Sequence, residues 1–175
     1  MDLARALSLI RPIPDYPKPG ILFQDITPLL ADPEALQRVV IEIAGLDAQS
    51  EVAIGIEARG FILASAVAIK KEIGFVPVRK KGKLPAHTYS RAYGLEYGED
   101  VVEIHSDAFT AGAKVVLIDD VLATGGTLEA AIGLVRDAGA QISSIVTLLE
   151  ISQLGGRDRI EKIAPGIPIH ALVTL

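Results

Sequence analysis

The chain has no cysteine among its 175 residues, which excludes a disulfide framework, thiolate chemistry and any metal site built on thiolates. It has no apolar run near the roughly 18 residues of a membrane-spanning helix. Asp2 stands in MDLARALSLIRP where a secretory signal carries basic residues. Positive charge is in deficit: the net charge is −5, which argues against general nucleic-acid binding. The three histidines, His87, His105 and His170, are scattered without ligand spacing and read as structural or exposed. No internal repeat or low-complexity tract is present. These absences point to a cytoplasmic protein with neither a membrane nor a nucleic-acid partner. At 50% hydrophobic residues the chain is long enough for one domain, spanning 1–175, around a sizeable core.

What is present alternates between helical and strand patterns. Leu3, Leu7 and Ile10 recur at helical spacing behind Asp2, a cap, and Pro12 and Pro14 stop that helix. Four prolines and a glycine between Pro12 and Gly20 predict an extended surface segment leading into Ile21–Asp25. Asp32-Pro33-Glu34 opens a helix with Leu36, Val39, Val40 and Ile43 on one face, closed at Gly45. Val52–Ile56, the helix Gly60–Glu72 and the strand from Phe75 to Val78 form a βαβ unit. Further strands are expected at Val101–His105, Val115–Ile118, Ile142–Leu149 and Ile167–Val173, with a helix from Thr127. Lys81–Tyr97 shows no sustained period and reads as a long flexible loop, of a length often used for active-site lids.

Three stretches carry chemistry. Val115–Thr127, VVLIDDVLATGGT, reads as a buried strand with the acidic tip Asp119-Asp120, then a small-residue loop opening a helix. Such a loop at a carboxyl end of a parallel sheet offers unpaired N–H groups and a positive dipole end to an anion. It has neither the lysine of a Walker A loop nor the G-x-G-x-x-G of a dinucleotide fold. Two carboxylates beside a phosphate cradle do not favour phosphate by charge, but they can accept hydrogen bonds from the vicinal hydroxyls of a ribose whose 5′-phosphate lies in the loop. Taken alone, an Asp-Asp pair is more often a solvated turn. Glu57-Ala58-Arg59-Gly60 follows another strand and opens another helix, a second anion cradle in which Arg59 adds a charged fork. Arg79-Lys80-Lys81-Gly82-Lys83 puts four cations into five residues of an acidic chain. Such a run is usually a solvated face, and here it leads into the long loop.

VVLIDDVLATGGT closely resembles the signature of the type I phosphoribosyltransferases, which bind 5-phosphoribosyl 1-pyrophosphate. The resemblance implies that Ala123, Thr124, Gly125, Gly126 and Thr127 hold the 5′-phosphate and that Asp119 and Asp120 hold the ribose hydroxyls. It assigns pyrophosphate to Glu57, Ala58, Arg59 and Gly60, with Ala58 standing where the family often has serine. RKKGKLP is similar to the segment before the catalytic loop of adenine phosphoribosyltransferases, which makes Arg79, Lys80 and Lys83 further pyrophosphate candidates. LEYG looks like the same enzymes and marks Glu96 as the acid–base group. PGILFQDITP resembles their base-binding hood. By that likeness Phe23 and Val121 sandwich adenine while main-chain groups at Leu22 and Gln24 read its amino edge; many members have arginine in place of Gln24 and leucine in place of Val121.

The resemblance runs from Pro19 to about Leu154. It implies the type I phosphoribosyltransferase fold, a five-stranded parallel sheet with helices on both faces, a helix and hood over residues 1–30 and a flexible catalytic loop over 81–97. The implied reaction is adenine plus 5-phosphoribosyl 1-pyrophosphate giving AMP and pyrophosphate, in purine salvage. It further implies a homodimer, and Mg²⁺ held mainly by the substrate without a dedicated protein ligand. A hypoxanthine/guanine or xanthine enzyme of the same fold stands as an alternative. So does a regulatory binding module, which would need the ribose loop but neither Glu96 nor the basic run.

Overall fold

In the computed structural model, which describes residues 1–94 and 99–175, the chain forms two units, Met1–Gly45 and Leu46–Leu175. In the first, Asp2 caps α1 (Leu3–Leu7), its carboxylate accepting the N–H of Arg5 at 2.8 Å. Prolines cannot continue that helix, and β1 (Arg11–Ile13) pairs antiparallel with β2 (Phe23–Asp25), Ile13 opposite Phe23. The segment expected to be extended is therefore strand at its start and turn beyond. Gly20 N–H donates to Asp15 Oδ1 at 2.7 Å, and the Tyr16 ring meets Phe23 edge-on at 5.1 Å.

Asp25 accepts the N–H and hydroxyl of Thr27 at the start of α2 (Thr27–Ala31) and the Arg11 guanidinium at 2.6 Å. The Thr27 hydroxyl bond leads the causes that bring its carboxyl down to about 2. α3 (Pro33–Leu46) opens as its sequence predicts, with Asp32 accepting the N–H of Ala35 at 2.9 Å. Its buried face is Ala35, Val39, Val40 and Ile43, and it runs one residue past Gly45.

The second unit runs β3 (Val52–Ile56), α4 (Arg59–Lys71), β4 (Gly74–Lys80), β5 (Thr88–Gly94), β6 (Glu99–His105), β7 (Lys114–Leu122), α5 (Gly126–Asp137), β8 (Gln141–Glu150), a 3₁₀ turn at Ser152–Leu154, α6 (Gly156–Ile163) and β9 (Ile169–Thr174). Its sheet has the order β5-β6-β4-β3-β7-β8-β9. The five strands β4, β3, β7, β8 and β9 are mutually parallel, as the resemblance implies, and β6 and β5 extend the β4 edge antiparallel.

The central parallel strands β3, β7 and β8 are largely apolar because both faces are covered. On one face Gly55 admits α4: a Cβ there would come within 2.9 Å of Ala64 Cβ. On the other, Ile54, Ile56 and Leu117 pack with Leu128, Ile132 and Val135 of α5 and Ile160 of α6.

Two elements depart from expectation. β5 lies inside Lys81–Tyr97, which the sequence presents as loop. Its residues TYSRAYG are mostly exposed and so show no alternation of apolar and polar side chains. It is held instead by its ladder to β6, with Tyr89 opposite Ile104, and by an Arg91–Asp137 ion pair at 2.8 Å to α5. α6, GRDRIEKI, gives little apolar signal because Ile160 is its one buried large side chain.

Candidate active site

β3 and β7 are neighbours in level register, Val52 opposite Val115 through Gly55 opposite Ile118. The chain leaves them in opposite directions, β3 through α4 to β4 and β7 through α5 to β8. The crevice outside the carboxyl ends of strands at such a reversal is the place where open α/β sheets bind ligands. A cavity of about 250 Å³ opens there, lined by Glu57, Ala58 and Arg59 after β3, by Asp119–Val121 and Ala123–Leu128 at the end of β7 and the start of α5, and by Tyr93.

The loop Ala123–Thr127 owes its shape to glycine. Gly125 has φ of +80° at the N-cap of α5, a region that side chains rarely adopt. Behind it the first turn of α5 presents backbone N–H groups without helical partners. The other turn approaches closely: a Cβ on Gly60 would stand 2.8 Å from Asp119 Oδ1.

The acidic pair is not a solvated tip. β7 continues past it to Leu122, pairing Val121 with Leu149 and Leu122 with Glu150 of β8, and Asp119 and Asp120 are only 8% and 5% exposed. Asp119 Oδ1 accepts the N–H of Asp120 at 2.9 Å. Burial, and then the charge of Asp120, push the Asp119 carboxyl well above its ordinary value. Burial also raises Asp120, against the pull of Arg59. Arg59 Nη2 lies 2.9 Å from Asp120 Oδ2. That ion pair is out of hydrogen-bond alignment and leaves this buried oxygen with no hydrogen bond.

Glu57 turns towards β4, where it accepts the N–H of Lys80 at 3.0 Å and two contacts from the Arg79 guanidinium at 3.2 and 3.3 Å. Burial pushes its carboxyl up, but these donors outweigh burial and hold it below the usual range. Arg79 also donates to the carbonyl of Lys83, and Lys80 Nζ pairs with Asp100 at 3.1 Å. Arg79, Lys80 and Lys83 therefore do not line the cavity, unlike Glu57, Ala58, Arg59, Asp119, Asp120, Val121 and Ala123–Thr127. Leu22, Phe23 and Gln24 belong to the first unit, Phe23 and Gln24 on β2 and Leu22 exposed just before it. Glu96 lies outside the described residues.

Sequence reasoning missed two of the lining residues, Leu128 and Tyr93. The Tyr93 hydroxyl donates to Asp100 Oδ2 at 3.2 Å and shares a hydrogen bond with Thr127 of the loop, while burial pushes its phenol up. The only signal for it was a tyrosine close to the LEYG motif. Among the described residues no three His, Cys, Asp or Glu side chains are grouped to hold a metal.

The profile of the phosphoribosyl transferase domain matches residues 30–167. The adenine phosphoribosyltransferase of Streptomyces coelicolor is 51% identical over 172 residues, 97% of this chain and 94% of its own length. The chain belongs to the adenine phosphoribosyltransferases. Solved structures of the family agree in fold. The crystal structure of the Thermoanaerobacter pseudethanolicus enzyme superposes with a TM-score of 0.93 at 43% identity, covering 99% of each chain. The Giardia lamblia APRTase complexed with 9-deazaadenine superposes with a TM-score of 0.92 at 38% identity, covering 100% of this chain and 98% of the other. The relatives thus span the chain nearly end to end, so family membership applies to both units.

Proposed function

We propose that the cavity between β3 and β7 binds 5-phosphoribosyl 1-pyrophosphate and that the chain transfers its phosphoribosyl group to N9 of adenine, releasing pyrophosphate and forming AMP. The observation that carries this reading is the pairing of two chemistries in one crevice. A glycine-shaped helix N-terminus suited to the 5′-phosphate adjoins the buried carboxylates Asp119 and Asp120, the acceptors in this crevice suited to ribose hydroxyls.

As the bond from C1 to the pyrophosphate oxygen breaks, positive charge grows on the ribose ring and negative charge on the leaving group. Asp119 and Asp120 hold the ribose from its hydroxyl side and keep C1 in place. Arg59, with the backbone amides of the Glu57–Gly60 turn, stabilises the departing pyrophosphate. Adenine N9 takes the vacated bond to C1, and its proton passes to Glu96, the group that the resemblance marks for acid–base work. Leu22, Phe23 and Gln24 would meet the base from the hood, with Val121 at the cavity wall.

Magnesium suits this donor set as an ion carried in on the donor: the buried Asp119 and Asp120 would hold it through the hydroxyls they bind, and it would neutralise charge on the pyrophosphate. Function as a cytoplasmic homodimer in purine salvage belongs to the same proposal and rests on family membership.

The deciding experiment is conversion of labelled adenine with and without the pyrophosphate donor, run beside hypoxanthine. Hypoxanthine reverses the donor and acceptor at the base's amino edge, so two buried groups are left unpaired. At 1–3 kcal/mol each, adenine should be favoured by about 30-fold to well over 10³-fold in kcat/KM. No donor-dependent AMP, or hypoxanthine used within about tenfold of adenine, would overturn the reading.

A further inference from the structure

The first turn of α6 stands behind the loop Ala123–Thr127 and lines no part of the cavity. Gly156 is buried there. A Cβ added to it would come within 2.2 Å of the Ala123 carbonyl oxygen and 3.0 Å of its carbon, so that carbonyl points at Gly156. One turn on, Arg159 Nη1 faces the Thr124 carbonyl at 3.5 Å, long for a hydrogen bond but favourable for charge and dipole, and Arg159 Nε donates to Glu129 in the first turn of α5. Both loop peptides are trans, and in a trans peptide the C=O and the following N–H point in opposite directions. Two successive carbonyls directed at α6 therefore direct the N–H groups of Thr124 and Gly125 to the opposite side, where the cavity is.

We propose that Gly156 and Arg159 are positioning residues for the 5′-phosphate: they draw the carbonyls of Ala123 and Thr124 out of the loop and so turn its amides onto the anion. Arg159 has a second effect. Glu129 is an acid in the first turn of the helix that receives the phosphate, and its ion pair with Arg159 offsets a charge that would repel the ligand. Gly156 is glycine because any side chain would push against loop backbone, which has no flexible end to move aside. The proposal rests on the reading of Ala123–Thr127 as a phosphate cradle.

The test is calorimetric titration of wild type, Gly156→Ala, Arg159→Met, Arg159→Lys and Thr127→Val with ribose 5-phosphate and, separately, with inorganic pyrophosphate, each beside a thermal melt. Gly156→Ala and Arg159→Met should weaken ribose 5-phosphate by about tenfold or more while leaving pyrophosphate within about twofold, and Arg159→Lys should recover most of the loss. In turnover the same variants should raise KM for the donor more than they lower kcat. Equal weakening of both ligands would indicate general loosening and overturn the proposal. If Thr127→Val weakens ribose 5-phosphate and neither α6 variant does, the positioning role alone fails. If all variants bind it as wild type does, the cradle reading fails with it. Should Gly156→Ala not fold, Arg159→Met carries the test, since its side chain is 43% exposed and not part of the core.

Discussion

Arg59 and Asp120 face each other at 2.9 Å at the crevice between β3 and β7, a cation at the start of α4 set against a carboxylate on β7. The pair joins the proposed pyrophosphate side of the site to the proposed ribose side. Burial opposes the Asp120 charge more than Arg59 supports it, so its carboxyl is held above its ordinary value.

Replacement of Asp120 by Asn should therefore act on the donor rather than on the fold. The amide is the same size and removes a charge that burial disfavours, but it cannot offer two anionic oxygens to hydroxyls. We expect kcat/KM for the donor to fall by about 10- to 100-fold with little change in Tm. A folded variant with full activity would remove Asp120 from ribose binding.

Asp119→Asn should stabilise the ligand-free protein at neutral pH. The folded carboxyl titrates well above its ordinary 3.8, so its contribution is fully present below pH 3.8 and is lost as pH rises through the folded value. Asparagine keeps the acceptor for the Asp120 N–H and never acquires the charge. Melts of both proteins between about pH 4 and 8 should show the variant ahead at the high end, by roughly 3 °C for each kcal/mol, with the gap closing towards pH 4. A variant that melts lower throughout would contradict the burial argument.

Asp47 should show the opposite sign. It is 5% exposed and accepts from Gln49 N–H, Ser50 N–H, Ser143 Oγ and Ser144 Oγ, with Lys71 Nζ at 3.5 Å. Burial pushes its carboxyl up, but these donors outweigh burial and hold it well below 3.8. Its stabilisation is present above pH 3.8 and lost as pH falls through the folded value. Asp47→Ala leaves Lys71 and two serines without this partner and should cost about 3–5 kcal/mol at pH 7. Denaturant melts at pH 7 and near pH 3 should show the difference shrinking in acid, and an unchanged difference would mean that packing, not charge, is what Asp47 supplies.

Limited trypsin digestion should cut first after Lys81 and Lys83, which stand exposed in the turn following β4, and slowly after Arg91, which is held in β5 by its ladder and by Asp137. Donor with Mg²⁺ should protect Lys81 and Lys83 if the basic run closes over pyrophosphate. Equal rates with and without ligand would rule out such closure.

The local units were legible because each is written in neighbouring residues. The apolar runs Val52–Ile56 and Val115–Ile118 predict covered strands, and Asp2 and Asp32-Pro33 predict the helix starts seen at α1 and α3. β5 and α6 were not legible, because one is held by a ladder on exposed residues and the other by a glycine contact and a single isoleucine. The burial of Asp119 and Asp120 was equally hidden, since it comes from β7 running on beside β8.

By itself the sequence determined the family, the two strand–loop–helix segments and the candidate residues for phosphate and ribose, because backbone freedom at glycine and side-chain chemistry are properties of short segments. Only the tertiary structure decided that β3 and β7 lie side by side with their connections leaving in opposite directions. That adjacency sets Arg59 against Asp120, and the packing of α6 sets Gly156 against Ala123. The physical reason is that hydrogen-bond ladders and burial choose partners across long stretches of chain, where no spacing between residues records the choice.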